Sequence, residues 1–196
     1  RVGASPTSMA LEGWTALHGG VPQLVVDGTG RWKDHGATAS HYVQADPALT
    51  LERLAALASP GVRSSTGGNH SEWSESWRRA ESAALSTIAQ QWDGDRKAHE
   101  GQILSAVLGA MPPEAQLFVS GSMPIRDLDA FGHPRADALR VFANRGASGI
   151  DGILSSAFGV ASQDDVPTVC VVGDVAFFHD QNGLLWSREV DAPVVF

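Results

Sequence analysis

The chain has 196 residues and a mass of 20.6 kDa, enough to bury a real core in one or two domains. With 43% hydrophobic and 18% charged residues it is not a disordered polymer, and no apolar run nears the roughly 18–20 residues that span a bilayer. Lys+Arg number 14 against 22 Asp+Glu, a net charge of −8 with the basic residues scattered, so a nucleic acid is not the main partner.

In chain order, Ser8 to Leu17 reads as a short helix stopped by Gly19-Gly20. Val21 to Val26 reads as a buried parallel strand ended by Asp27-Gly28-Thr29-Gly30. A polar stretch without periodicity follows to about Asp46, then a helix over Leu49–Leu57 ended by Ser59-Pro60-Gly61. Residues Val62 to His70 have a linker composition. Trp73, Trp77, Ala80, Ala84, Leu85, Ile88 and Trp92 recur at helical spacing, with Ser71 as a cap and Asp93-Gly94-Asp95 as the end.

A second helix, Glu100 to Ala110, stops at Met111-Pro112-Pro113. Beyond it strands alternate with helices: strands at Gln116–Val119, Leu139–Phe142 and Thr168–Val172, a helix at Asp151–Ala161, another near Gly183–Glu189, and a strand at Val194. That alternation predicts an α/β fold, a parallel sheet with helices on both faces. The sequence opens on Arg1 rather than Met and closes inside an apolar run, so we read it as a stretch of a longer polypeptide whose targeting its first residues do not reveal.

Ligands of an open parallel sheet bind beyond the carboxyl ends of its strands. Three such ends carry small-residue turns: Ser120-Gly121-Ser122-Met123, Asn144 to Ile150, and Gly173-Asp174. Turns of this kind let backbone N–H groups approach an anion, and a lone acid such as Asp174 suits a magnesium ion bridging phosphates. Each also has a plain reading. The glycines serve tight turns, Asp174 caps a helix, and Arg126 pairs with Asp127 or Asp129 at the surface. The functional reading gains because all three turns fall on one edge of one sheet.

Other constellations are weaker. Gly28-Thr29-Gly30 lacks the third glycine and the helix of a dinucleotide fingerprint, and no Gly-x-Ser-x-Gly elbow occurs. His35 and His41 lack the spacing of zinc ligands. The lone cysteine, Cys170, lies in an apolar strand and is expected to be inert packing.

Ser122-Met123-Pro124-Ile125-Arg126-Asp127, the run Asn144-Arg145-Gly146-Ala147-Ser148-Gly149-Ile150-Asp151-Gly152, and Val172-Gly173-Asp174 through Gln181-Asn182-Gly183-Leu184 together resemble one family. It is the thiamine diphosphate-dependent 2-succinyl-5-enolpyruvyl-6-hydroxy-3-cyclohexene-1-carboxylate synthase of menaquinone biosynthesis. The likeness is specific over about residues 100–196 and loose before that. It implies a thiamine diphosphate-binding fold over 96–196, truncated, a connecting helix at 71–95, and the C-terminal part of a second α/β domain, the family's middle domain, at 1–70.

The resemblance further implies decarboxylation of 2-oxoglutarate and addition of the succinic semialdehyde unit to isochorismate, with thiamine diphosphate and Mg²⁺ (or Mn²⁺) as cofactors. On it Asp174 is the metal ligand, with the Gly173 and Val175 backbone near the diphosphate. Ser122 and Met123 line the same end. Ile150 is the wedge that bends the cofactor, and the Gly149 carbonyl faces its amino group. Arg126 and Arg145 hold substrate carboxylates. Val175 stands where many thiamine diphosphate enzymes carry glycine, which favours this narrow family over the broad class.

The second metal-ligand segment would lie beyond Phe196 and the activating glutamate in an N-terminal domain, so this stretch holds no catalytic residue and is expected to be inactive alone. The resemblance implies a cytoplasmic homodimer or homotetramer without a membrane span or nucleic-acid partner. Two alternatives stand beside it. One is another thiamine diphosphate enzyme, a 2-oxoacid decarboxylase or acetohydroxyacid synthase. The other is a non-catalytic α/β binding domain.

Overall fold

The computed structural model describes residues 1–3, 7–57, 70–94, 97–137, 139–144, 149–191 and 193–196, so Arg145, the Ser59-Pro60-Gly61 stop and most of the linker-like stretch lie outside the described residues. The chain divides into two units, Arg1–Ala89 and Gln90–Phe196.

In the first unit helix α1 (Met9–Leu17) is capped as its sequence suggests, the Ser8 hydroxyl accepting the Leu11 N–H at 3.3 Å. Strand β1 is Leu24–Val26, shorter than expected, because the Val21 N–H turns back to the His18 carbonyl at 2.9 Å and Pro22 has no N–H to pair. It pairs in parallel with β2 (His41–Val43), which falls in the stretch expected to be irregular. Only Tyr42 of β2 is half-buried, too short a pattern to show alternation.

Helix α2 (Pro47–Leu57) starts two residues before the expected Leu49, since Asp46 accepts the Leu49 N–H at 2.9 Å and Pro47 fits a first helical position. The Asp27–Gly30 segment is a turn closed on a buried acid: Asp27 accepts from the Thr29 N–H at 2.8 Å and pairs with Lys33 at 3.0 Å. The Thr29 hydroxyl and Lys33 hold this carboxyl below the usual range. For buried Asp34, desolvation is outweighed by hydrogen bonds from the Ala39 N–H at 2.7 Å and Arg1 at 2.6 Å, and its pKa is likewise lowered.

Helix α3 (His70–Gly94) ends at the expected glycine and begins one residue before Ser71, which therefore sits inside its first turn. Within the first unit its Trp77 meets Trp14 edge-on at 6.3 Å.

The second unit is a four-stranded parallel sheet in the order β4-β3-β5-β6, with β3 Gln116–Val119, β4 Arg140–Ala143, β5 Thr168–Val171 and β6 Val194–Val195. Strand β3 is central and buried throughout, and its side chains alternate between two cores. Leu117 and Val119 pack with Leu104 and Leu108 of α4 (Glu100–Ala110) and with Ile125 and Leu128 of α5 (Met123–Phe131). Phe118 and, on β5, Cys170 pack with Ile153, Leu154 and Ala157 of α6 (Ile153–Ala161) and with Ala176 of α7 (Asp174–His179). Helices thus cover both faces, as the alternating pattern predicts. The helix expected near Gly183–Glu189 is a 3₁₀ helix, Gln181–Arg188.

Helix α5, which lies outside the expected elements, follows β3 directly. Its C-terminal neighbour Arg135 braces α4, donating to the Leu108 carbonyl and, at 3.1 Å, to that of Met111, while Asp137 takes the guanidinium at 2.7 Å. These are carbonyls that a helix end leaves without partners. Gly101 lets α4 and α5 approach, because the Phe131 ring occupies the space a Cβ would take.

Burial pushes the Cys170 thiol up to about 12. Cys170 is therefore expected to resist a disulfide reagent at pH 8 for as long as the sheet is folded, and to react stoichiometrically in denaturant; rapid modification of the native protein would contradict this.

Candidate functional site

The sheet reverses its direction of growth at β3. From β3 the chain passes to β4 on one side, then crosses to β5 and β6 on the other. With right-handed crossovers the two connections cover opposite faces, and a crevice opens between the carboxyl ends of β3 and β5. A cleft of about 340 Å³ lies there.

Its walls come from five places: Gly121 to Pro124 after β3, Asp127 on α5, Ile150, Val171 to Ala176 at the end of β5 and beyond, and the start of α4 with Glu100, Ile103 and Leu104. Of the residues singled out from sequence, Ser122, Met123, Ile150, Gly173, Asp174 and Val175 share this one cleft. Gly149 and Arg126 do not line it. At Gly149 a Cβ would meet only the tip of the Asp151 side chain, which can swing away, so the turn into Ile150 does not itself demand glycine. Arg126 makes no ion pair with Asp127 or Asp129 among the described residues; its Nη1 donates to the Ser122 carbonyl at 2.5 Å. Glu100, Ile103 and Asp127 are contributors that the sequence reading missed.

Each wall is fixed by local chemistry. Gly173, not Asp174, is the N-cap of α7, so the acid is the first helical residue. Its carboxylate accepts the adjacent Val175 N–H at 2.8 Å and is otherwise exposed to the cleft. Helix α7 is docked through its C-terminal neighbour: Asp180 accepts the Ser155 N–H at 2.8 Å and its hydroxyl at 3.2 Å, capping α6 from 25 residues away. That cap is needed because the N-cap of α6 is Gly152, which has no side chain to offer. Gly183 completes the dock, since a Cβ there would lie 2.9 Å from the Ser155 nitrogen. Asn144, just after β4, donates its side-chain amide N–H to the Ser156 hydroxyl at 2.9 Å.

Asp127 on α5 lines the cleft while only 7% exposed, and no donor among the described residues meets it. Burial, then the nearby charge of Glu100, raises its pKa from the ordinary 3.8. A carboxyl raised in the folded state costs stability above its folded pKa, and the cost disappears below its unfolded value. Asp127→Asn is thus expected to raise the unfolding midpoint at pH 7 by about 2–4 °C, with the gain vanishing below about pH 4. Thermal scans across pH check this, and a gain that persists in acid would refute the cause.

No protein-family model matches the chain. Its relatives are informative. It is 44% identical over 202 residues to the 2-succinyl-5-enolpyruvyl-6-hydroxy-3-cyclohexene-1-carboxylate synthase of Halobacterium salinarum, a match covering 100% of the chain and 32% of that protein. The synthase of the same name from Haloarcula marismortui is 42% identical over 197 residues, again 100% of the chain and 32% of the relative. That of Geobacillus thermodenitrificans is 40% identical over 188 residues, 96% of the chain and 30% of the relative. The chain belongs to this synthase family. It spans about a third of the length of these synthases. The likeness extends through the first unit as well as the second, although the sequence motifs that mark the family lie only after residue 100.

The groups in the cleft suit a diphosphate held by a hard cation. No cluster of three or more His, Cys, Asp or Glu side chains able to hold a metal occurs among the described residues. Asp174 offers one exposed carboxylate, and Glu100 and the buried Asp127 line the same cleft. Mg²⁺ is commonly bound by one or two carboxylates plus phosphate oxygens and waters. The remainder of the cleft is largely apolar, with Ile103, Leu104, Met123, Ile150 and Val171 facing it, which suits the flat body of a cofactor. No helix among the described residues is long and apolar enough to cross a membrane.

Proposed function

We propose that the second unit is the diphosphate end of a thiamine diphosphate site, within a cytoplasmic synthase that consumes 2-oxoglutarate and isochorismate in menaquinone biosynthesis. On this reading the first unit is the C-terminal part of a middle domain, and the full-length protein is a homodimer or homotetramer. The observation that carries it is the convergence of Ser122, Ile150 and Asp174 on one cleft at the reversal point of the sheet.

When bound, thiamine diphosphate supplies the electron sink for decarboxylation. The chain's own residues hold and orient. Asp174 ligates Mg²⁺ (or Mn²⁺) through its carboxylate, and the Gly173 and Val175 backbone lies beside the diphosphate. Ser122 and Met123 close the opposite wall. Ile150 would be the apolar wedge that keeps the cofactor bent, and Gly149 would offer its backbone carbonyl to the cofactor's amino group. Apolar Ile103, Leu104 and Val171 exclude water from the same space. Arg126 and Arg145 serve the substrates, both of which are dicarboxylates, because a guanidinium fork binds carboxylate in bidentate fashion.

The test is CO₂ release from 2-oxoglutarate by the full-length protein with thiamine diphosphate and Mg²⁺. Release that depends on isochorismate is expected. Release without isochorismate points to a simple 2-oxoacid decarboxylase, and failure to bind the cofactor points to a non-catalytic domain; either result overturns the proposal. The 196-residue stretch alone is expected to turn nothing over, since it spans only about a third of the length of the synthases it matches.

A further inference from the structure

Ser122 has φ +66° and ψ −128°, a backbone conformation that favours glycine. Among the described residues of the second unit it is the sole non-glycine with positive φ. Glycine stands next door at position 121, so the strain falls on a side-chain-bearing residue at the mouth of the cleft. Such a conformation is costly for a residue with a Cβ and persists only where its surroundings over-determine it. The Ser122 side chain does not provide that support, for it makes no capping hydrogen bond to α5. The support comes from one turn later: Arg126 Nη1 donates to the Ser122 carbonyl at 2.5 Å, a charge-assisted bond from an exposed side chain.

We propose that Arg126 acts through the main chain, pinning the strained Ser122 turn so that Ser122 and Met123 form the cleft wall against Asp174. Arg126 is then a positioning residue for the diphosphate end of the site, in addition to any contact its remaining N–H groups make with a substrate carboxylate. The inference rests on the cofactor reading of the cleft for its ligand, but the pinning itself does not.

A double-mutant cycle on the full-length protein tests it, comparing wild type, Arg126→Ala, Ser122→Gly and the double variant. Two quantities are read without turnover: the unfolding midpoint and the dissociation constant for thiamine diphosphate with Mg²⁺. Arg126→Ala is expected to lower the midpoint and weaken cofactor binding about tenfold. In the Ser122→Gly background glycine adopts the turn unaided, so the same replacement still lowers the midpoint by removing the bond to the retained carbonyl, but it is expected to change the cofactor constant by less than about twofold. An equal loss of cofactor affinity in both backgrounds overturns the pinning. An unchanged cofactor constant in Arg126→Ala overturns the positioning role. A raised KM for the dicarboxylates as the only effect makes Arg126 a substrate ligand alone and overturns the proposal. Wild-type protein that binds no cofactor overturns the functional reading of the cleft and the positioning role with it, while an Arg126→Ala midpoint equal to that of wild type shows separately that Arg126 does not hold the turn.

Discussion

Replacing Asp174 with alanine is expected to abolish Mg²⁺-dependent binding of thiamine diphosphate to the full-length protein. Residues that merely support metal ligands contribute about 10–100-fold to affinity, so removing a carboxylate that itself ligates the ion, the role proposed for Asp174, should cost at least about 100-fold. The geometry makes the expectation specific. Asp174 begins α7 and, among the described residues, accepts only the neighbouring Val175 N–H at 2.8 Å, which leaves most of its lone pairs for a cation. Asp174→Asn keeps the shape but loses the charge, and is expected to fall between wild type and alanine. Because the side chain is exposed, neither variant should shift the unfolding midpoint of the metal-free protein appreciably. Titration calorimetry with and without Mg²⁺ reads the result. Undiminished metal-dependent affinity in Asp174→Ala would remove the metal role.

The second large effect is on stability. Phe118 sits at 2% exposure in the middle of the central strand, against Ile153, Leu154 and Ala157 of α6. Phe118→Ala is expected to cost about 3–5 kcal/mol, because the ring is lost and the close-packed helix collapses only partly into the space. In a protein of this size that lowers the unfolding midpoint by about 10 °C. Val175→Ala, at a side chain 62% exposed, is the control and should change it little. Thermal unfolding followed by circular dichroism tests both, and equal effects would mean that the core is not where the contacts put it.

Much of the second unit could be read from residues alone, and the exceptions have physical causes. Strands β3 and β5 and helices α4 and α6 are apolar segments bounded by strong turn signals. Helix α5 carries Arg126-Asp127-Leu128-Asp129, and Asp127 lies on its buried side, so polarity no longer reports the helix face. In the first unit β2 has three residues and a single half-buried side chain. The same limits apply to the cleft. Its turns advertise themselves through glycine and serine at strand ends. Glu100, Ile103 and Asp127 enter it only because α4 lies close to α5 at Gly101, and a lone glycine in the first turn of an apolar helix is a faint signal of that approach. Arg126 is the most instructive residue. Its charge suggests a ligand, yet the bond it makes is to backbone.

Strand pairing across the reversal point has a consequence for how the protein is made. Gln116 lies opposite Thr168 and Val119 opposite Val171, so the two lips of the crevice are separated by some fifty residues of chain and meet only when that loop closes. A nascent polypeptide emerging from the ribosome carries one lip long before the other exists. A small molecule that recognises both lips cannot act as an early template for folding; it can only trap the finished sheet, and its availability in the cell would then set how much of the newly made protein survives proteolysis.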